Sequence, residues 1–250
     1  MGADARLAGE LATAAGELLV RLRADSGLSG KELGAAGDEQ ANDLLVSRVR
    51  AERPDDAVLS EESADDRRRL AADRVWIIDP LDGTREFGMP DRADWAVHVA
   101  LWHRGSGLVA GAVALPELGV TYTTDGSSVD PVDGLLPARS STAPRVVVSA
   151  SRPQPLAERV ASAVDGEVVQ LGSAGAKTMA VVRGEADVYV HSGGQYEWDS
   201  AAPIAVAEAV GLWCSRVDGS PLEYNNDDVY LPDLVVCRAD LKKTVLAAIR

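Results

Sequence analysis

The first 54 residues show the three-to-four spacing of apolar positions that marks helices. Leu7, Leu11, Leu18 and Leu22 recur along residues 4–23 with good helix formers between them, which predicts an amphipathic helix. The stretch DSGLSGKELGAAG (25–37) is rich in glycine and serine and reads as a loop. GDEQANDLLVSRVRAERP (37–54) then predicts a second amphipathic helix, stopped by Pro54. AVLSEE (57–62) reads as a short strand ending in acids. DDRRRLAADR (65–74) reads as a charged surface loop or single helical turn with its charges solvated.

From Val75 to about Thr124 the rhythm changes to short apolar runs broken by Gly and Pro: VWIID, DWAVHVALWHRG, GLVAGAVALP and LGVTYTTDG. This pattern predicts an antiparallel meander. Residues 125–144 (DGSSVDPVDGLLPARSSTAP) form a turn-rich connector. Beyond it, strand and helix patterns alternate: RVVVSAS, a helix after Pro155, EVVQLG, SAGAKTMAVVRG, DVYVHSGG, a helix from Trp198 to Val210, LVVCR, and a last helix from Asp240. Such alternation predicts a sheet covered by helices. The expected organisation is an N-terminal α+β half, residues 1–140, and a C-terminal α/β half, residues 141–250.

Composition narrows the function. Apolar residues make up 46% of 250 residues and aromatics 4%, so a substantial core is expected, built mainly from Ala, Val and Leu. Lys and Arg total 25 against 39 Asp and Glu, a net charge of −14. That balance disfavours a nucleic-acid partner, and it repels small anions unless bound cations reverse the local field. Cys214 and Cys237 lack metal-type spacing and read as two reduced, buried thiols. The first residues lack a basic-then-apolar leader pattern, and no window offers 18 consecutive apolar residues, so a cytoplasmic protein without a membrane partner is expected.

The chemistry concentrates in VWIIDPLDGTREF (75–87). Pro80 disfavours helix at Asp79 and should end the strand there, leaving a turn that folds Asp79 and Asp82 toward one point. Asp and Asp-Gly are also common turn residues, so plain turn chemistry stands beside a ligand role. Glu61 and Glu62 in LSEES read either as a solvated strand end or as further ligands. Asp199 in QYEWDSAAPIAV reads either as a helix cap or as a ligand. Together these acids make an oxygen-rich set suited to Mg²⁺. Haloacid-dehalogenase-type phosphatases resemble the pattern, but their paired aspartates are two residues apart, whereas Asp79 and Asp82 are three apart.

The acids of LSEES, then WIIDPLDGT, then a late WDSAA closely resemble the inositol monophosphatase superfamily of lithium-sensitive, Mg²⁺-dependent phosphatases, across roughly residues 4–240. Arg85-Glu86-Phe87 after Thr84, and the segment GSAGAKTM…QYEWDSAAP, resemble its CysQ-type 3′(2′),5′-bisphosphate nucleotidases. The resemblance implies a layered α-β-α-β-α sandwich of the inositol monophosphatase/fructose-1,6-bisphosphatase type. It implies hydrolysis of the 3′-phosphate of adenosine 3′,5′-bisphosphate (PAP), or of its 5′-phosphosulfate relative (PAPS), in sulfate assimilation. The alternative within the family is a broader sugar phosphatase acting on inositol monophosphate or fructose 1,6-bisphosphate; outside catalysis, it is an inactive binding protein that keeps the fold.

The resemblance also implies a site with two or three Mg²⁺ ions. Glu61, Asp79 and the Leu81 carbonyl would ligate one, Asp79, Asp82 and Asp199 a second, and Glu61 with Asp38 a third. Asp38 with Thr84 would orient and deprotonate the attacking water, although Asp38 reads equally as the N-cap of the second helix. The N–H groups of Gly83 and Thr84 would meet a phosphate oxygen. Ser173, Gly175, Ala176 and Lys177 would lie near the ribose and 5′-phosphate, with Lys177 as its partner or, alternatively, a helix-surface lysine. His191 stands where relatives carry an arginine. His98 and His103 read as packing or surface residues. A monomer or homodimer is compatible with the family.

Overall fold

The computed structural model describes residues 2–126, 135–136, 142–150 and 155–249. Two long helices come first, α1 (Ala3–Asp25) and α2 (Gly30–Glu52). Five strands follow: β1 (Ala57–Ser60), β2 (Arg74–Asp82), β3 (Ala96–His103), β4 (Gly107–Leu115) and β5 (Val120–Thr123), with the single-turn helix α3 (Thr84–Phe87) after β2. They form one sheet in the order β1-β2-β3-β4-β5. β1 pairs with β2 in parallel, and the rest is the expected antiparallel meander.

The second half holds β6 (Arg145–Ser149), α4 (Pro155–Ala163), β7 (Glu167–Leu171), α5 (Ala174–Val182), β8 (Val188–Tyr196), α6 (Glu197–Ala209), β9 (Trp213–Ser215), β10 (Tyr230–Cys237) and α7 (Lys242–Ile249). Its sheet runs β7-β6-β8-β10-β9, parallel on the β7-β6-β8 side and antiparallel on the other. The short strand β9 was not legible in the sequence. The connector predicted over 125–144 lies largely outside the described residues.

Alternation along the strands sorts the layers. Trp76, Ile78, Val97, Val99 and Leu101 face one way and pack on Leu7, Leu11, Leu19 and Leu45 of α1 and α2. Val75, Ile77, Ala96 and Ala100 face the other way and share a core with α5, α6 and the second sheet, through Met179, Ala201, Val147 and Tyr189. On the far side of that second sheet, Val146, Val188 and Val235 pack against α4 and α7. The result is the expected α-β-α-β-α sandwich. Among the described residues no helix is long and apolar enough to cross a membrane. Cys237 is buried and Cys214 half-buried, both as free thiols.

Three local expectations are corrected. Residues 30–36 are helical rather than loop, because Ser29 is extended before Gly30 and α2 begins there. The glycines serve close packing: a Cβ on Gly34 would stand 2.7 Å from Thr84 Cγ2, and one on Gly37 would stand 2.9 Å from Leu81 Cδ2. Strand β2 does not stop at Asp79. Its pairing with β3 passes from Asp79↔His98 to Asp82↔Ala96, with one extra residue on β2, so Pro80 sits in a bulge that twists the strand end. The charge run 65–74 is not wholly solvated either. Arg69 is fully buried, its guanidinium held by Asp65 at 2.7 and 3.0 Å and by Asn225 Oδ1 at 2.7 Å.

Candidate active site

The bulge at the end of β2 organises the site. Period-two alternation puts Asp79 on the face of Val75 and Ile77, toward the middle layer. The parallel register Ser60↔Ile78 sets Glu61 beside Asp79 as the two strands end. Asp79 is 1% exposed, and its Oδ1 accepts the Leu81 N–H at 3.1 Å, closing the turn on itself. The extra residue then brings Asp82 back to the same side. Gly83 follows at φ +92°, where any Cβ would press on Trp95 Cβ at 3.2 Å and Ser173 Cβ at 3.3 Å; glycine answers both demands. Helix α3 starts directly after it.

Asp82 is held by the second half of the chain. Its Oδ2 accepts Ser173 Oγ at 2.5 Å and the Gly175 N–H at 2.7 Å. Ser173 carries this contact at φ +43°, a sparsely populated conformation for a residue with a Cβ, while its Oγ also caps α5 by accepting the Ala176 N–H at 2.9 Å. Asp199 lies in the first turn of α6. It does cap, accepting the Tyr196 N–H at 2.6 Å, yet it also faces the other acids. One carboxylate oxygen each from Asp79, Asp82 and Asp199 lies within 4.8 Å of the others. This is the triplet expected for the second ion. Glu61 and Asp38 stand outside it, and Glu61, exposed by surface area, lines the cavity in front of it.

Crowding shows in the acidities. Burial first, then Glu61, Asp82 and Asp199, pushes the Asp79 carboxyl well above the usual carboxylate range. Burial and the Asp199 charge push Glu61 up to about 8. Burial and Asp82 push Asp199 up to about 6. Asp82 goes the other way: burial alone would raise it, but His98, Lys177 and Ser173 together hold it below its ordinary value. Hard oxygen donors that repel one another in a buried pocket fit a divalent cation such as Mg²⁺.

Asp38 falls within α2, so it is not the helix cap. It receives Thr84 Oγ1 at 3.3 Å, while the same hydroxyl lies 3.2 Å from the Leu81 carbonyl. Burial, then the Glu62 charge, pushes Asp38 up to about 7.

His98 is the residue that sequence reading set aside. It is fully buried on the inner face of β3, its Nδ1 3.2 Å from the Trp198 carbonyl and its Nε2 3.2 Å from Asp82 Oδ2. A signal existed: on β3 a large polar ring stands between the small residues Ala96 and Ala100, on the face it shares with its register partner Asp79. A Cβ on Gly175 would lie 2.1 Å from His98 Nε2, so the imidazole and the α5 N-terminus are fitted to each other.

A cavity of about 390 Å³ opens above the cluster, lined by residues that include Asp82, Gly83, Thr84, Arg85, Ser173, Lys177, His191 and Asp199. Ala176 is fully buried beneath it and contributes its N–H to the α5 cap. Lys177 is 4% exposed rather than on the helix surface, and its Nζ donates to the carbonyls of Gly172 at 3.0 Å and Ser173 at 2.5 Å. Burial lowers its ammonium to about 8. His191 Nε2 lies 3.2 Å from the Gly194 carbonyl.

Comparison with known proteins agrees with this architecture. The profile of the inositol monophosphatase family matches residues 4–250. The chain is 54% identical to the 3'-phosphoadenosine 5'-phosphate phosphatase of Mycobacterium leprae, over 99% of this chain and 93% of that protein. It is 31% identical to the 3'(2'),5'-bisphosphate nucleotidase CysQ of Escherichia coli K12, over 78% and 81%. Among solved structures, CysQ from Bacteroides thetaiotaomicron superposes with a TM-score of 0.78 at 27% identity, covering 94% of this chain and 97% of that one. The chain belongs to the inositol monophosphatase family.

Proposed function

We propose that this chain is a Mg²⁺-dependent phosphomonoesterase that removes the 3′-phosphate of adenosine 3′,5′-bisphosphate, and acts also on its 5′-phosphosulfate relative. The observation that carries the reading is the Asp79–Asp82–Asp199 cluster at the base of a cavity that Ser173, Ala174 and Lys177 also line. The names of the two relatives supply the substrate class.

Phosphate monoesters hydrolyse extremely slowly in water, and the transferred group offers the protein little covalent chemistry. Positioning and charge must therefore do most of the work. Asp79, Asp82, Asp199, Glu61 and the Leu81 carbonyl would hold the cations, and Asp38 with Glu61 would hold a third. Bound there, Mg²⁺ supplies the positive charge that draws in a phosphate and acidifies a water. Thr84 and Asp38 orient that water. The Thr84 hydroxyl has one proton and two acceptors, Asp38 Oδ1 and the Leu81 carbonyl. When it donates to either, a lone pair remains to receive a water proton. Asp82 is kept ionised and aimed by Ser173, Gly175 and His98.

Asp82→Asn tests the assignment. The amide keeps the size and one oxygen for the Ser173 and Gly175 donors, so cooperative unfolding by circular dichroism is expected to persist. Phosphate release from adenosine 3′,5′-bisphosphate is expected to fall at least about 100-fold. A variant retaining near wild-type turnover would remove the cluster from the reaction.

A further inference from the structure

A nucleoside 3′,5′-bisphosphate brings two phosphates, and the carboxylate cluster with its cations accounts for one. The other needs a cation on the cavity wall, which is otherwise rich in acids: Glu61, Asp82, Glu86 and Asp199. Among the described lining residues three are basic. The Lys177 ammonium is buried and donates to two backbone carbonyls. The His191 ring is 6% exposed and lies against the Gly194 carbonyl. Arg85 differs from both. It lines the cavity, its side chain is exposed, and it makes no hydrogen bond or ion pair among the described residues. Its neighbour Glu86 is buried against Gly172, where a Cβ would stand 2.5 Å from Glu86 Cγ, and feels the Arg85 charge without a hydrogen bond or ion pair to it.

Position supports the same assignment. Arg85 follows Thr84 directly on α3, the single turn that starts after Asp82 and Gly83. The two phosphates of the substrate hang from ribose carbons with one other carbon between them. A long side chain anchored one residue past Thr84 can meet the second while the first lies at the cluster. A guanidinium offers planar, bidentate donors suited to a phosphate.

We infer that Arg85 binds the phosphate that is not hydrolysed, and thereby sets the preference for bisphosphates over monophosphates. The inference rests on the phosphatase reading above. Wild type, Arg85→Ala and Arg85→Lys would be compared at saturating Mg²⁺ on adenosine 3′,5′-bisphosphate and adenosine 3′-monophosphate. For Arg85→Ala the KM for the bisphosphate is expected to rise about 10- to 100-fold, the loss of one charged hydrogen-bonding group, while kcat stays within about threefold. The monophosphate kcat/KM is expected to stay within about threefold, and Arg85→Lys to recover part of the loss. A merely structural role would lower activity on both substrates equally, and that result would overturn the inference. So would an Arg85→Ala enzyme that keeps the wild-type preference for the bisphosphate. A wild-type enzyme without that preference would overturn the inference together with the substrate reading beneath it.

Discussion

Cation binding to this site should release protons, and the raised acids set roughly how many. Glu61 is raised to about 8, Asp38 to about 7 and Asp199 to about 6. Ligand carboxyls must be ionised. At pH 7 Glu61 is therefore mostly protonated, Asp38 about half and Asp199 mostly ionised. Filling positions held by Glu61 and Asp199 should release about one proton per chain at pH 7, and about one and a half when Asp38 is engaged as well. Asp79, raised well above its ordinary value, can only add to that release. At pH 6 the same three groups should release roughly two, and at pH 9 almost none. Calorimetric titration of metal-free protein with MgCl₂, in buffers of different ionisation enthalpy at each pH, reads the number directly. The apparent affinity should also rise about tenfold per pH unit for each proton released. Clear binding heat with fewer than about 0.3 protons released at pH 7 would refute the reasoning, because the cation would then not be displacing protons from this cluster.

Other outcomes follow from the same geometry. The raised acids predict that metal-free protein loses stability as pH rises. Asp38, Glu61 and Asp199 start from ordinary values of 3.8 to 4.5 and end between about 6 and 8. Their protonated forms favour the fold, fully below pH 4, and that contribution is lost as pH climbs through 6 to 8. Melting temperatures should fall over that window, and Mg²⁺ should raise them more at pH 8 than at pH 5; a flat profile would contradict it. Gly175→Ala would drive a Cβ to 2.1 Å from His98 Nε2, so a loss of about 1–3 kcal/mol in denaturant unfolding and a larger loss of turnover are expected. Wild-type behaviour would show that the imidazole and the α5 turn are not fitted. His98→Ala should weaken Mg²⁺ binding by titration calorimetry, because Asp82 loses an orienting neighbour at 3.2 Å, with a 10- to 100-fold drop of the order seen for lost outer-shell partners. Unchanged affinity would reduce His98 to packing.

Much of this was legible because local rules and the fold agree. The period of the leucines found α1, strand alternation found the meander, and Asp79, Asp82 and Asp199 converge as their spacing and the family resemblance implied. What failed has physical causes. Gly34 and Gly37 looked like loop residues, but they let α2 approach Thr84, Leu81 and Phe87, and only tertiary contact reveals that use of glycine. This misreading also made Asp38 look like a helix cap. Pro80 stopped the expected strand in the sequence, whereas in the fold it occupies a bulge and β2 continues to Asp82. Arg69 reads as solvated in the sequence because its partner Asn225 lies 156 residues away. His98 was passed over because its importance comes from pairing opposite Asp79 across two strands. Lys177 reads as a free cation until α5 folds its ammonium onto two carbonyls.

The account stands most directly on phosphate release from adenosine 3′,5′-bisphosphate as Mg²⁺ is titrated into metal-free enzyme, with inositol monophosphate and fructose 1,6-bisphosphate run alongside. The account predicts no release without the cation, saturable release with it, and the highest kcat/KM on the adenosine bisphosphate. Release that ignores Mg²⁺, or an absence of release on all three substrates, would contradict it.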